Sequence, residues 1–112
     1  MLESTSSVRI VVTTVVSPEE GARMGRALVE ERLAACATIL CGAHSIYRWQ
    51  GQVESSAETV LLLKTESERL PALDNRLHEL HSYQVPEFLV LPVDSGSHPY
   101  LEWLHSCVLE GS

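Results

Sequence analysis

Apolar and polar positions fall along the chain in blocks whose periods predict four main strands and three helices. Residues 1–7 are polar and show no period, so a loose N-terminal arm is expected there. Val8 to Val16 reads VRIVVTTVV, a β-branched run that predicts a strand. Ser17-Pro18-Glu19-Glu20 then starts a helix: the Ser17 hydroxyl can accept from the Glu20 amide, the Glu20 carboxylate can reach back, and Pro18 suits the first helical position. The helix is expected to run to about Ala34. Met24, Gly25, Leu28, Val29 and Leu33 gather on one side, with Glu20, Arg23, Arg26, Glu30 and Glu31 on the other. Arg32 falls inside the apolar sector, where it must either snorkel or meet a partner.

Cys36 to Trp49 and Val53 to Thr65 read as two long strands joined at Gln50-Gly51, since glycine takes the positive φ that a two-residue hairpin turn needs. Gly42 is expected to kink or bulge the first of them. A second helix begins near Ser67, tolerates Pro71 in its first turn and buries Leu70, Leu73, Leu77 and Leu80. Pro86 to Val93 reads as a strand, with a proline near each end suggesting short length or an edge position. Pro99 opens a last helix with a broad apolar face of Tyr100, Leu101, Trp103, Leu104, Cys107 and Val108, and residues 109–112 form a tail. The order β-α-β-β-α-β plus a terminal helix predicts an α+β fold in one domain over residues 8–108: a ferredoxin-like (split βαβ) antiparallel sheet with both main helices on one face.

The strands, however, are apolar on both faces. Ile10 and Val12 oppose Val11 and Val15, Val60 and Leu62 oppose Leu61 and Leu63, and Phe88 and Val90 oppose Leu89 and Leu91. Two helices cover one face only. A terminal helix of about two turns shields about half of a four-stranded sheet. The remaining patch exceeds what soluble monomers usually expose, so the strands predict a homo-oligomer with sheets facing inward.

Composition narrows the possibilities further. The chain has 112 residues, 45% of them hydrophobic, enough for one core without disulfides or a structural metal. Fifteen acidic against eight basic side chains leave a net charge of −7, and no Lys/Arg cluster offers a surface for nucleic acid. The longest apolar runs, Val60–Leu63 and Phe88–Leu91, are far too short to cross a bilayer. The start lacks the order of a signal peptide, and three cysteines at irregular spacing suggest free thiols in a reducing, cytoplasmic setting.

Five histidines and three cysteines raise metal ligation. Cys36 and Cys41 point to opposite faces of a regular strand, no C-x-x-C occurs, and each reads more readily as a small buried hydrophobe. His78 and His81 share a helix flank with Asp74, a spacing that can hold Zn²⁺ or Cu²⁺ or simply form a solvated face. His81 also sits where the helix should end, and the following turn lets Glu87 fold back toward it with Tyr83 between them. Such a group can bind a cation or exchange protons, or it can be a buried hydrogen-bond network that fixes the turn. Spacing leaves both open. His44, His98 (a candidate helix cap) and His105 read as structural, and Tyr47, Trp49, Tyr100 and Trp103 as core or interface packing. Paired chaperone cysteines, exposed RNA-binding aromatics, a phosphate-cradling glycine loop and a nucleophile elbow are all missing.

The stretches Glu31-Arg32-Leu33-Ala34-Ala35-Cys36-Ala37, Ser45-Ile46-Tyr47-Arg48-Trp49-Gln50-Gly51, Leu63-Lys64-Thr65, His81-Ser82-Tyr83-Gln84-Val85-Pro86-Glu87 and Tyr100-Leu101-Glu102-Trp103-Leu104 resemble, in order, the CutA divalent-cation tolerance family. The resemblance spans about residues 8–106. It implies a tight PII-like homotrimer and a link to tolerance of copper and other divalent cations, zinc among them. Its metal-associated positions fall on His81 and Glu87, with Cys36 as a further thiol. Tyr83, Lys64, Trp49 and Tyr47 lie in the same motifs and would line or support a cleft. Thr13 and Thr14 stand where some members carry a further cysteine, and Ser82 where proline is common. The expectation is a non-enzymatic trimer that binds divalent cations, copper first. A PII-like signalling or scaffold trimer binding a metabolite or partner protein is the second reading. A hydrolase using His81 and Glu87 is the third, with no readable nucleophile.

Overall fold

A computed structural model describes residues 1–109. Its elements are β1 (Leu2–Ser4), β2 (Val8–Val15), α1 (Pro18–Glu30), β3 (Cys36–Trp49), β4 (Gln52–Glu66), α2 (Leu70–Leu80, entered through a 3₁₀ turn at Ser67–Arg69), β5 (Leu89–Pro92), β6 (Ser95–Ser97) and α3 (His98–Val108). The main sheet is antiparallel, in the order β3-β4-β2-β5 expected of a split βαβ unit.

One face carries the core. Val11 and Val15 of β2 and Leu61 and Leu63 of β4 pack under Met24 and Leu28 of α1 and Leu73 and Leu77 of α2. The contact with β3 is close because α1 presents Gly25, where an added Cβ would stand 2.8 Å from the Ala37 Cβ. A second cluster forms on the opposite face, where Leu101, Leu104 and Val108 of α3 bury Val8 and Ala35. Helix α3 does not seal that face. Leu40, Leu89 and Leu91 remain exposed, and Ile10, Val12, Val60 and Leu62 only half-buried.

Helix α1 stops four residues earlier than its apolar period suggests. Arg32 takes φ 61°, the Arg32 amide bonds Val29 O at 3.0 Å, and the Leu33 amide bonds Leu28 O at 2.9 Å, the double closure of a Schellman motif. Leu33 thus reaches the core as the hydrophobic member of the stop rather than as helix. The partner of Arg32 is also resolved: its Nη1 donates to Cys107 O at 3.1 Å. Arg69 meets Val108 O with Nε at 2.8 Å and Nη2 at 2.6 Å. Two guanidinium groups therefore close the carbonyl end of α3, where the helix dipole favours positive charge.

Gln50 and Gly51 both take positive φ, 51° and 81°, so the β3–β4 loop is the tight hairpin turn the sequence implied. The ladder slips between Leu40 and Ala43, with Gly42 at φ 84°, which confirms the bulge. Since β2 ends at Val15 opposite Thr59, residues 43–58 run beyond it as a bare two-stranded ribbon. Its Ile46 and Val53 are 71% and 65% exposed.

Two expectations need correction. The arm is not wholly loose: Leu2–Ser4 pair with Ser95–Ser97, a second ribbon invisible to period analysis because three polar-flanked residues carry no alternation. The last sheet strand is Leu89–Pro92 rather than Pro86–Val93, because the chain before it is bent back over the end of α2.

Candidate functional site

At the end of α2 the chain turns sharply over the C-terminal end of β2. His81 is buried there. Its Nε2 lies 2.8 Å from Thr14 O, which can only accept, and its Nδ1 lies 3.0 Å from the Tyr83 amide, which can only donate. That pairing demands a neutral imidazole protonated on Nε2. Both nitrogens are engaged by backbone, so the imidazole as placed offers no lone pair to a metal. Of the two readings left open by spacing, the structure forms the hydrogen-bond network.

The carboxylate that joins His81 in this network is Glu20, not Glu87. The Ser17 hydroxyl accepts from the Glu20 amide at 3.1 Å, as a capping box requires. The carboxylate, however, overshoots the cap residue: Oε1 accepts from the Val16 amide at 2.9 Å and Oε2 from the Ser82 amide at 3.0 Å. Burial alone would raise this acid, but the hydrogen bonds from Ser82 and Val16 outweigh it and hold Glu20 below its usual 4.5. The helix cap and the turn after α2 thereby share one side chain. Its signal in the sequence was the capping-box glutamate itself.

Tyr83 leans on the His81 ring, centroids 4.7 Å apart, and donates its hydroxyl to Glu58 Oε2 at 2.6 Å. Burial first, then the bond to Glu58 and that carboxylate's charge, push the phenol far above its ordinary range, so it stays protonated as a donor. Burial and the field of Glu58 also push the Glu87 acid upward. Glu58 was not singled out from sequence; an acidic residue within a strand run is the signal that could have found it. Among the described residues neither Glu58 nor Glu87 has a cationic partner.

The remaining candidates lie elsewhere. Cys36 pairs with Lys64, which pairs with Ile10, four residues or roughly 13 Å along β2 from Thr14. Its Sγ is 3.9 Å from Lys64 Nζ and 3.7 Å from Thr38 Oγ1, so the structure does not bring Cys36 to His81 within one chain. Tyr47 and Trp49 sit on the bare ribbon, Tyr47 bonded to Ser56 Oγ at 2.8 Å. His78 turns back to Asp74 of its own helix, away from His81. His98 is the first residue of α3 rather than its cap, which is Ser97. Cys36, Cys41 and Cys107 are free thiols, and neither Cys36, half-buried, nor Cys41, exposed, is the buried hydrophobe expected of it. Among the described residues no three His, Cys, Asp or Glu side chains converge as a metal cage, and no helix is long and apolar enough to cross a membrane.

Comparison with known proteins gives a consistent picture. The family model described as CutA1 divalent ion tolerance protein matches residues 9–107. The divalent-cation tolerance protein CutA of Thermus thermophilus is 48% identical over 95 residues, covering 85% of this chain and 92% of that one. The chloroplastic CutA protein of Arabidopsis thaliana is 41% identical over 106 residues, and the chain spans only 58% of its length. Among solved structures, CutA from Synechococcus elongatus superposes with a TM-score of 0.93 at 38% identity, covering 96% of each chain.

Proposed function

The chain belongs to the CutA1 divalent ion tolerance family, and from that membership we propose that it binds divalent cations, without catalysis, at Glu58 and Glu87 beside the turn after α2. The observation that carries this reading is the Glu58–Glu87 pair. Glu58, which accepts from the Tyr83 hydroxyl at 2.6 Å, and Glu87, on the same turn four residues after Tyr83, are half-buried and have no cationic partner among the described residues, and burial with the charge of Glu58 pushes the Glu87 acid upward. A divalent ion would relieve both the repulsion and the desolvation. Glu87 and Glu58 would supply oxygen ligands. Tyr83 would orient Glu58, while Glu20 and His81 would hold the turn that presents Glu87. Copper is the first ion to try, since Cu²⁺ leads the first-row divalent series at a given donor set, with Zn²⁺ behind it. Cys36 would contribute only from another subunit.

The second part of the proposal is the assembly. The half-covered sheet face and the bare ribbon are apolar surfaces that other copies of the chain would bury in a homotrimer. Sedimentation equilibrium at micromolar concentration is expected to return the mass of three chains; a monomer would remove this part. Titration calorimetry with Cu²⁺ is expected to show binding to the wild type and to Cys36→Ser, and its loss in Glu87→Gln. Binding should also weaken as pH falls through the raised Glu87 pKa. Equal binding in Glu87→Gln and wild type would overturn the site.

A further inference from the structure

The far end of the sheet holds a histidine in the opposite situation. His98 Nδ1 stands 3.0 Å from Glu3 Oε2 of β1, and its Nε2 stands 3.4 Å from Glu102 Oε2, one turn along α3. Carboxylates accept and do not donate. A neutral imidazole carries one N–H, so only the doubly protonated ring satisfies both partners. Because the carboxylates flank opposite edges of the ring, they cannot close on one metal ion through it. The arrangement is built for a proton.

What the proton holds is the N-terminal strand. Besides the β1–β6 register, the His98 amide donates to Met1 O at 3.1 Å and the Thr5 amide to Asp94 O at 3.0 Å. All four residues from Met1 to Ser4 are exposed, so little apolar burial keeps β1 in place. Beneath it lies a groove whose walls include Val8, Glu66, Leu101 and His105. Ser7 donates to Glu66 Oε1 at 2.6 Å, and His105 Nδ1 approaches Glu66 Oε2 at 3.9 Å. Gly96 lets β6 lie on Leu101, since an added Cβ there would meet Leu101 Cδ2 at 3.1 Å.

We propose that residues 1–4 are a proton-operated strap: protonated on both nitrogens and so singly charged, His98 ties Glu3 to α3, and loss of that charge weakens the tie and loosens β1, freeing the edge of β6 and opening the groove over Val8 and Leu101. The charged groups that face His98 are Glu3 from β1 and Glu102 from α3. The hydrogen bond and charge of Glu3, joined by the charge of Glu102, raise His98 above 6.5. A raised histidine gives its full contribution below 6.5 and loses it as pH climbs through the higher, folded-state value. Release therefore comes on the alkaline side.

Hydrogen exchange of the full chain, corrected for intrinsic rates, tests this at about pH 6 and about pH 8.5, either side of the histidine range. Wild-type protection of the Thr5 and His98 amides, which donate to Asp94 O and Met1 O across the β1–β6 pairing, should fall several-fold at the higher pH. In His98→Gln and Glu3→Gln it should be low at both. Undiminished wild-type protection at the higher pH would overturn the strap. So would a fall that persists in His98→Gln, because a group other than His98 would then be responsible.

Discussion

His81 and His98 sit near opposite ends of β2, and the chain imposes a different protonation state on each. His81 faces one acceptor and one donor, both backbone, and is buried. His98 faces two acceptors, both carboxylates, and is open to water. The first arrangement excludes the second proton and the other requires it. Composition alone cannot distinguish them, since the ring is the same. What separates them is whether the neighbours are backbone groups fixed by a strand and a turn or carboxylates on exposed side chains. At the His81 end, hydrogen bonding is part of the fold; at the His98 end it is a removable tie.

The largest way to break this contrast is His81→Phe. The larger apolar ring makes no hydrogen bond, so Thr14 O and the Tyr83 amide lose their partner in a part-buried turn. Each orphaned group costs about 1–3 kcal/mol, so a loss of roughly 3 kcal/mol is expected in urea unfolding at neutral pH. An unchanged midpoint would mean that the turn is held by Glu20 alone.

Glu20→Gln is the next step down. The amide keeps one acceptor oxygen and sets an NH₂ group against either the Val16 or the Ser82 amide, for about 1–2 kcal/mol. The substitution also alters the acid limb. A carboxyl held below 4.5 stabilises the fold above its unfolded value, and that contribution disappears as pH falls through the lower, folded-state value. Wild-type stability should therefore decline between about pH 5 and pH 3 more steeply than that of Glu20→Gln. Parallel curves would show that Glu20 is not a source of acid sensitivity.

The contrast also explains what could be read from the chain. Strand order, the Gln50-Gly51 turn and the Gly42 bulge were legible because each depends on local period or on a φ that glycine permits. The end of α1 was not, because Arg32 adopts the left-handed conformation usually left to glycine, with Leu33 docking in the core and Cys107 O as recipient of the guanidinium. At the site, the convergence of His81 and Tyr83 follows from a short turn and was visible. The partners Glu20 and Glu58 come from β-α and β-hairpin segments 62 and 25 residues away from Ser82 and Tyr83, respectively, and only the folded sheet brings them in. Separation in sequence, rather than subtlety of chemistry, hid them.

The smallest expected effect sharpens the comparison most. His98→Gln should leave the urea midpoint of the whole domain at the wild-type value at about pH 6, on the acid side of the raised His98 range. The reason is structural: β1 contributes three exposed residues to a ribbon outside the four-stranded sheet, and neither core cluster contains any of them. Its release is local unfolding of a low-stability segment, which global denaturation does not report. If the midpoint instead fell as far as it does for His81→Phe, β1 would be unfolding in concert with the core. The strap would then be a cooperative part of the fold, and the difference between the two histidines would be one of solvent exposure alone.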